Sequence, residues 1–396
     1  MSVLRPQSAA ATDFNALLAE IHRVGHETIE PASHDVDASA RFPREGIDAL
    51  RELRLLSAYV PEELGGMGLD IVELGKICEA LSHYCASTAM IFAMHQIQVA
   101  CIVHHARGSE YFETILRELV GNQWLIASAT TELGVGGDLR SSLCAVEVEG
   151  DRFRLTKKAP VISYGAFADQ ILVTSRRAPD AASSDQVGVL VHKADYTLEP
   201  ISGWDTLGFR GTCSSGFVLT SAGAVEQILP TPFDDVLSQT MHPFSHIVWS
   251  SLWLGIAAEA INRARAYVRA EARKNPHLPP ASSMRLAEAD IVLYGMRNNV
   301  HWTAADYARL LTQGDLEAFK SFGFATRTNN LKLSSSQLVV DIVSRAMLIC
   351  GISGYRNDSK FALGRHLRDA YGAALMVNND RILGHNATML LALKET

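Results

Sequence analysis

The sequence predicts an α+β protein, mostly α, built as a helical block, a small sheet and a second helical block. Three observations carry this. Apolar residues recur at helical spacing from the start to about Gln123. Short alternating, β-branched runs fill Trp124 to about Phe233. Helical spacing returns from about Met241. The predicted domains are residues 1–123, all-α; 124–235, β; and 236–396, helical. A length of 396 residues suits two to three domains.

In the first block, Asp13 or Thr12 can cap a helix whose Phe14, Leu17, Leu18, Ile21 and Val24 share one face. Pro61, Gly65, Gly66 and Gly68 break the pattern over 57–69, and helical spacing resumes over 71–105. In the middle block, residues 144–149 and 152–156 alternate around Gly150-Asp151, a hairpin signal. The runs at 170–174, 186–191 and 215–220 read as further strands. No helix-length segment separates them, so an antiparallel sheet or barrel is expected. In the last block, three faces fit long helices with short connections. They are Leu254 to Val268, Leu293 to Leu311, and Leu338, Ile342, Arg345 and Ile349. Arg345 interrupts its stripe, either snorkelling or meeting an ion pair or cofactor.

Composition narrows the function classes. Hydrophobic residues are 47% and charged residues 20%, which excludes a disordered chain. There are 36 Lys+Arg against 43 Asp+Glu, a net charge of −7 with no basic run, so nucleic acid is not expected as a partner. No signal-type segment is seen. The apolar stretch 247–258 is too short for a span of about 20 residues, and His95, Gln96 and Gln98 interrupt 87–103, so no membrane partner is expected. Cys78, Cys85, Cys101, Cys144, Cys213 and Cys350 lack metal-ligand spacing. They read as buried thiols of a cytoplasmic, reducing-compartment protein.

Five ordered segments carry the specific signal. Val60-Pro-Glu-Glu-Leu-Gly-Gly-Met-Gly-Leu69 is followed by Ala127-Ser-Ala-Thr-Thr-Glu-Leu-Gly-Val-Gly-Gly-Asp138, and then by Leu155 to Asp169 with its Ile-Ser-Tyr-Gly core. Leu207-Gly-Phe-Arg-Gly-Thr212 comes next. Last are Ile349-Cys-Gly-Ile-Ser-Gly-Tyr355 and Arg365-His-Leu-Arg-Asp-Ala370. In this order, over nearly the whole chain, they resemble the signatures of the acyl-CoA dehydrogenase superfamily. The resemblance implies a central β domain between an N-terminal helical domain and a C-terminal four-helix bundle. It also implies FAD as cofactor.

The residues suit a flavin. Backbone N–H and hydroxyl groups hold the polar edge of the isoalloxazine. By resemblance Ser128 and Thr131 supply such groups, with Thr131 at the pyrimidine edge. Ser163, beside Ile162, is expected near N5. Gly134, Gly136 and Gly137 allow close backbone approach. Asp138 either joins them or caps a turn. Arg273, Gly351 and Gly354 are expected to meet the cofactor of a neighbouring copy in a homotetramer or homodimer. Arg273 lacks the usual aromatic-Gly context, so a solvated helix-end arginine is an equal reading.

The departures concern the base. The family removes an α-proton with a carboxylate some eight residues after the Arg-Asp pair, where this chain has Val377. A minority place it early on the first long C-terminal helix, where this chain reads Phe244-Ser245-His246-Ile247. Leu133 also replaces a usual proline. Candidate substitutes are Asp380, His95 and His385, with His246 behind them. Each also has a plain reading, as a core histidine or a solvated group. Met94, Met241 and Trp249 line either the acyl pocket or the core.

Two functions follow. One is FAD-dependent α,β-dehydrogenation of an acyl thioester on coenzyme A or a carrier protein, with an electron-transfer protein as partner. The other is a two-component flavin monooxygenase of the same fold, taking FMN or another reduced flavin from a reductase. That branch lacks the carboxylate, and its members often carry histidines where this chain has His95 and His385.

Overall fold

The computed structural model describes residues 13–136, 138–274 and 280–392. The first helical block holds α1 (Phe14–Val24), α2 (Glu30–Ala38), α3 (Arg44–Glu52), α4 (Ile71–Ser82), α5 (Ala86–His105) and α6 (Glu110–Asn122). Asp13 caps α1, accepting from Asn15 N–H at 3.1 Å and Ala16 N–H at 3.2 Å. Thr12 lies outside the described residues. Asp70 and Glu73 close a capping box on α4, immediately after the Gly65–Gly68 break.

The middle block has seven strands: β1 (Ile126–Ala129), β2 (Glu147–Glu149), β3 (Arg152–Ala159), β4 (Gln170–Arg176), β5 (Gln186–His192), β6 (Tyr196–Ser202) and β7 (Gly216–Ala224). They form two sheets, ordered β1-β4-β5 and β2-β3-β7-β6. The hairpin at Gly150-Asp151 is present, with Glu149 opposite Arg152 and Gly150 at φ +63°. The pairing is antiparallel as expected, apart from one edge. β1 runs parallel to β4, Ile126 opposite Gln170. β1 is a four-residue strand entering from α6, and no local turn signal reveals its partner.

The last block holds α7 (Phe233–Val236), α8 (His242–Lys274), α9 (Ser282–Gln313), α10 (Phe322–Cys350), α11 (Ile352–Tyr355), α12 (Gly364–Gly372) and α13 (Asn379–Ala392). α8 is the central pillar, packed against α9, α10, α4 and α5. It meets α4 closely at Gly255, where a Cβ would sit 2.2 Å from the Glu79 carbonyl oxygen. Arg345 is half-exposed and paired with Asp341 at 2.8 Å, an ordinary i,i+4 surface pair.

Among the described residues three helical stretches are long and apolar enough to cross a membrane: Ala86–His105, Phe233–Lys274 and Phe322–Cys350. In the first two, 94% of the apolar window is buried inside the protein. The hydropathy of these two is accounted for by the core they form, whereas in Phe322–Cys350 half of the window is buried.

Candidate active site

The two loops expected to hold a flavin lie side by side. β1 runs into Thr131, and the 160–165 turn follows β3. Thr131 Oγ1 donates to the Val161 carbonyl at 2.9 Å. Leu133 N–H donates to the Lys158 carbonyl at 2.9 Å. Ser128, Thr131, Ile162 and Ser163 therefore share one patch. Ser163 Oγ accepts from Ser214 Oγ at 2.8 Å, which leaves its own proton to donate. Tyr164 is fully buried at φ +44°, and its hydroxyl donates to the Ile126 carbonyl at 3.0 Å. Phe209 and Cys213 also take left-handed backbone beside this turn. Such clustering is typical of functional sites.

An ion pair absent from the sequence reading anchors the flavin loop. Glu132 is buried and accepts from Cys144 N–H at 2.6 Å, Ser142 Oγ at 2.7 Å and Leu143 N–H at 3.1 Å. Lys157, fully buried, reaches Glu132 at 3.3 Å and the Thr174 carbonyl at 2.7 Å. Burial pushes the Lys157 ammonium pKa down, against the pull of Glu132. A signal existed: Lys157 stands in the buried phase of β3, between Leu155 and Ala159. Asp138 Oδ1 accepts from Arg140 N–H at 3.0 Å, so it caps a turn. Gly134 (φ +97°) and Gly136 (φ +59°) take backbone that favours glycine, while Gly137 lies outside the described residues.

His95 is corrected to a structural tie. It is fully buried, with Nδ1 accepting from Ile126 N–H at 2.9 Å and Nε2 against the Leu56 carbonyl at 2.6 Å. Only the neutral Nε2–H tautomer satisfies both contacts. No ring nitrogen is left for proton transfer, and burial lowers its pKa to about 4. It links α5 to the start of β1, three residues before the flavin loop begins to turn. His246 is likewise buried, with Nδ1 3.3 Å from the Thr328 carbonyl.

Asp380 and His385 lie exposed on α13. Arg381 beside Asp380 donates to the Gly136 carbonyl, bringing this helix start to the flavin loop. Val377, where the carboxylate was expected, is 36% exposed with φ +44°. Behind it, Lys332 is fully buried on α10. Its Nζ lies 2.9 Å from the Val377 carbonyl and 2.6 Å from Asn379 Oδ1. His242 Nε2 meets Asn329 Oδ1 at 2.9 Å, and Asn386 bridges Asn329 and Asn330. Met241 and Trp249 are buried and Met94 partly so. Among the described residues Trp249 Nε1 has no acceptor.

Arg273, Gly351 and Gly354 stand elsewhere. Arg273 ends α8, about 46 Å along the helix from His242 at 1.5 Å per residue. Gly351 ends α10 at φ +56°, exposed, and Gly354 packs on Cys350. Among the described residues none of them hydrogen-bonds to the patch at Ser163.

Family models for the acyl-CoA dehydrogenase N-terminal and C-terminal domains match residues 12–112 and 239–376. The chain belongs to the acyl-CoA dehydrogenase family. A probable acyl-CoA dehydrogenase, FadE25 of Mycobacterium leprae, is 25% identical, covering 90% of each chain. Butyryl-CoA dehydrogenase from Megasphaera elsdenii superposes with a TM-score of 0.81 at 20% identity, covering 99% of this chain and 100% of that one. FMN-bound TdsC from Paenibacillus sp. A11-2 does so with a TM-score of 0.81 at 18% identity, covering 96% and 98%. These two structures share the acyl-CoA dehydrogenase fold with the present chain.

The acyl-CoA dehydrogenase family binds FAD. The residues present fit a flavin. The Ser163 proton is free to donate. Among the described residues the Ser163 N–H has no hydrogen-bond acceptor. Ser128 is half-exposed, and Gly136 leaves open space above its backbone.

Proposed function

We propose that this chain is a flavin-dependent oxidoreductase of acyl-CoA dehydrogenase type, acting on an acyl thioester of coenzyme A or a carrier protein. The observation that carries it is the contact between Arg381 and Gly136. It brings the 377–381 segment, which follows the family's Arg-Asp pair, onto the loop that holds Thr131 beside the Ser163 turn. Ser128, Thr131, Ile162 and Ser163 would hold the flavin by its polar edge. When bound, the flavin supplies a two-electron acceptor.

The chain's own task is then to take the α-proton and orient the thioester. Asp380 is the base in this reading. Its carboxylate is exposed and lies three residues past Val377. His385, five residues further along α13, is the second candidate.

A second reading is a two-component monooxygenase using reduced flavin and O2. The observation in its favour is that neither Val377 nor the stretch Phe244-Ser245-His246-Ile247 offers a carboxylate where the family resemblance expects one. Oxygen insertion has no need of an α-proton base.

One experiment separates them. The flavin-loaded protein is mixed anaerobically with acyl thioesters of graded length, and flavin absorbance is followed. Bleaching by at least one thioester is expected. No bleaching by any thioester, together with oxygenation when a reductase supplies reduced flavin, overturns the dehydrogenase reading.

A homodimer or homotetramer belongs to the same proposal, with Arg273, Gly351 and Gly354 meeting a neighbour's cofactor. Its support is the exposed apolar face of α9, where Met284 is 77%, Ile291 71% and Tyr294 65% exposed. A monomeric mass by light scattering at micromolar concentration overturns it. Cytoplasmic location is likewise proposed, supported by six unpaired cysteines, five of them buried.

A further inference from the structure

The buried ammonium of Lys332 has an uncommon set of partners. Its Nζ meets the Val377 carbonyl at 2.9 Å and Asn379 Oδ1 at 2.6 Å, and lies 5.9 Å from the Trp253 ring centroid. Among the described residues no carboxylate pairs with it. Asn379 Nδ2 in turn donates to Ser336 Oγ at 3.0 Å, one helical turn along α10. Burying an unpaired ammonium is costly, and a Met or Leu would fill this core position without that cost.

The turn it grips is itself strained. Val377 is β-branched and sits at φ +44°, a conformation that persists only where its surroundings impose it. Its side chain is 36% exposed. Four residues on, Arg381 is fastened to the flavin loop at Gly136. The segment 377–381 is thus tied to α10 at one end and to the flavin loop at the other.

We propose that Lys332 is a positioning residue that holds Val377 in its left-handed turn, and so sets the pocket wall where the family's carboxylate is missing. Lys332 touches neither substrate nor flavin in this role; it acts through the Val377 peptide and Asn379. The role rests on the proposed function only in taking this turn as the pocket wall.

The test uses full-length, flavin-loaded protein with Lys332→Met, Val377→Gly and the double variant. Readouts are hydrogen exchange of the 374–380 amides and visible circular dichroism of the bound flavin. Lys332→Met is expected to speed exchange in 374–380 about tenfold, leaving α9 unchanged, and to alter the flavin signal. Glycine adopts the turn without strain, so the double variant is expected to regain most of the protection and the wild-type signal. Should Lys332→Met not fold, Asn379→Ala removes one acceptor and is expected to speed the same amides about threefold. Unchanged exchange, a rise spread evenly over all helices, or no rescue by Val377→Gly overturns the proposal. None of these readouts depends on which substrate is turned over, so a failed dehydrogenase reading leaves the result interpretable.

Discussion

His95 Nδ1 accepts the N–H of Ile126 at 2.9 Å, so this histidine fastens α5 to the first strand. With Nε2 on the Leu56 carbonyl, the ring satisfies two buried backbone groups at once. His95→Ala leaves both unpaired and is expected to cost about 2–5 kcal/mol of stability by denaturant unfolding. The rate of flavin reduction per correctly folded molecule should stay within a few-fold of wild type. A loss of a hundredfold or more, with stability unchanged, would restore His95 as a base.

Acid sensitivity follows from burial of histidines. Burial lowers His95, His104, His105 and His242 to about 4, against an ordinary value of 6.5. The fold keeps them neutral while the unfolded chain takes up protons. Stability is therefore full above about pH 6.5 and falls progressively toward pH 4. Each histidine removes roughly 2 kcal/mol by pH 5. Urea midpoints at pH 7.5, 6 and 5 should fall steeply. A flat profile would show these rings reach water in the native state.

Asp369 works with the opposite sign. It is buried, its Oδ1 accepts from Phe209 N–H at 2.6 Å, and burial raises its carboxyl to about 6. The folded state holds the proton more tightly than the unfolded chain, so stability from this group is present below about pH 4 and lost as pH rises through 6. Asp369→Asn keeps an acceptor and removes the titration. Its unfolding free energy relative to wild type should improve by about 2–3 kcal/mol between pH 4 and 7.

The Glu132–Lys157 pair should control flavin retention. Lys157→Met strands the buried Glu132 carboxylate and is expected to cost about 3–5 kcal/mol. Flavin release on dilution should be faster, because the loop at 131–138 loses its anchor. In Lys157→Met/Glu132→Gln part of the stability should return. Strict additivity of the two single changes would mean the groups do not interact.

Val377→Glu places a carboxylate where the family resemblance expects one. If a weak base limits thioester oxidation, anaerobic bleaching should accelerate at least tenfold. An unaltered rate, with Asp380→Asn slowing it a hundredfold, would assign the proton to Asp380.

Much of the fold was legible locally. The Asp13 cap, the Gly150-Asp151 hairpin and the apolar stripe at Leu293, Met296 and Val300 each depend on neighbours within a few residues. The loops at 127–138 and 155–169 stood out by their resemblance to the family's signatures, a run of residue types in close succession. The parallel pairing of β1 with β4 was not, since Ile126 and Gln170 are separated by two other strands. Lys157 left a trace in the alternation of β3. Lys332 left none that points to Val377, because a lysine on a helix gives no sign of which carbonyl it will reach.

The sequence by itself determined the order of helices and strands, the family signatures at 127–138 and 155–169, and a valine rather than an acid at position 377. Those are matters of periodicity and residue type along the chain. Only the tertiary structure decided that His95 is a tie, that Asp138 caps a turn and that a lysine stands behind Val377. A side chain's protonation and role follow from burial and from which distant polar groups it meets, and chain folding alone sets both.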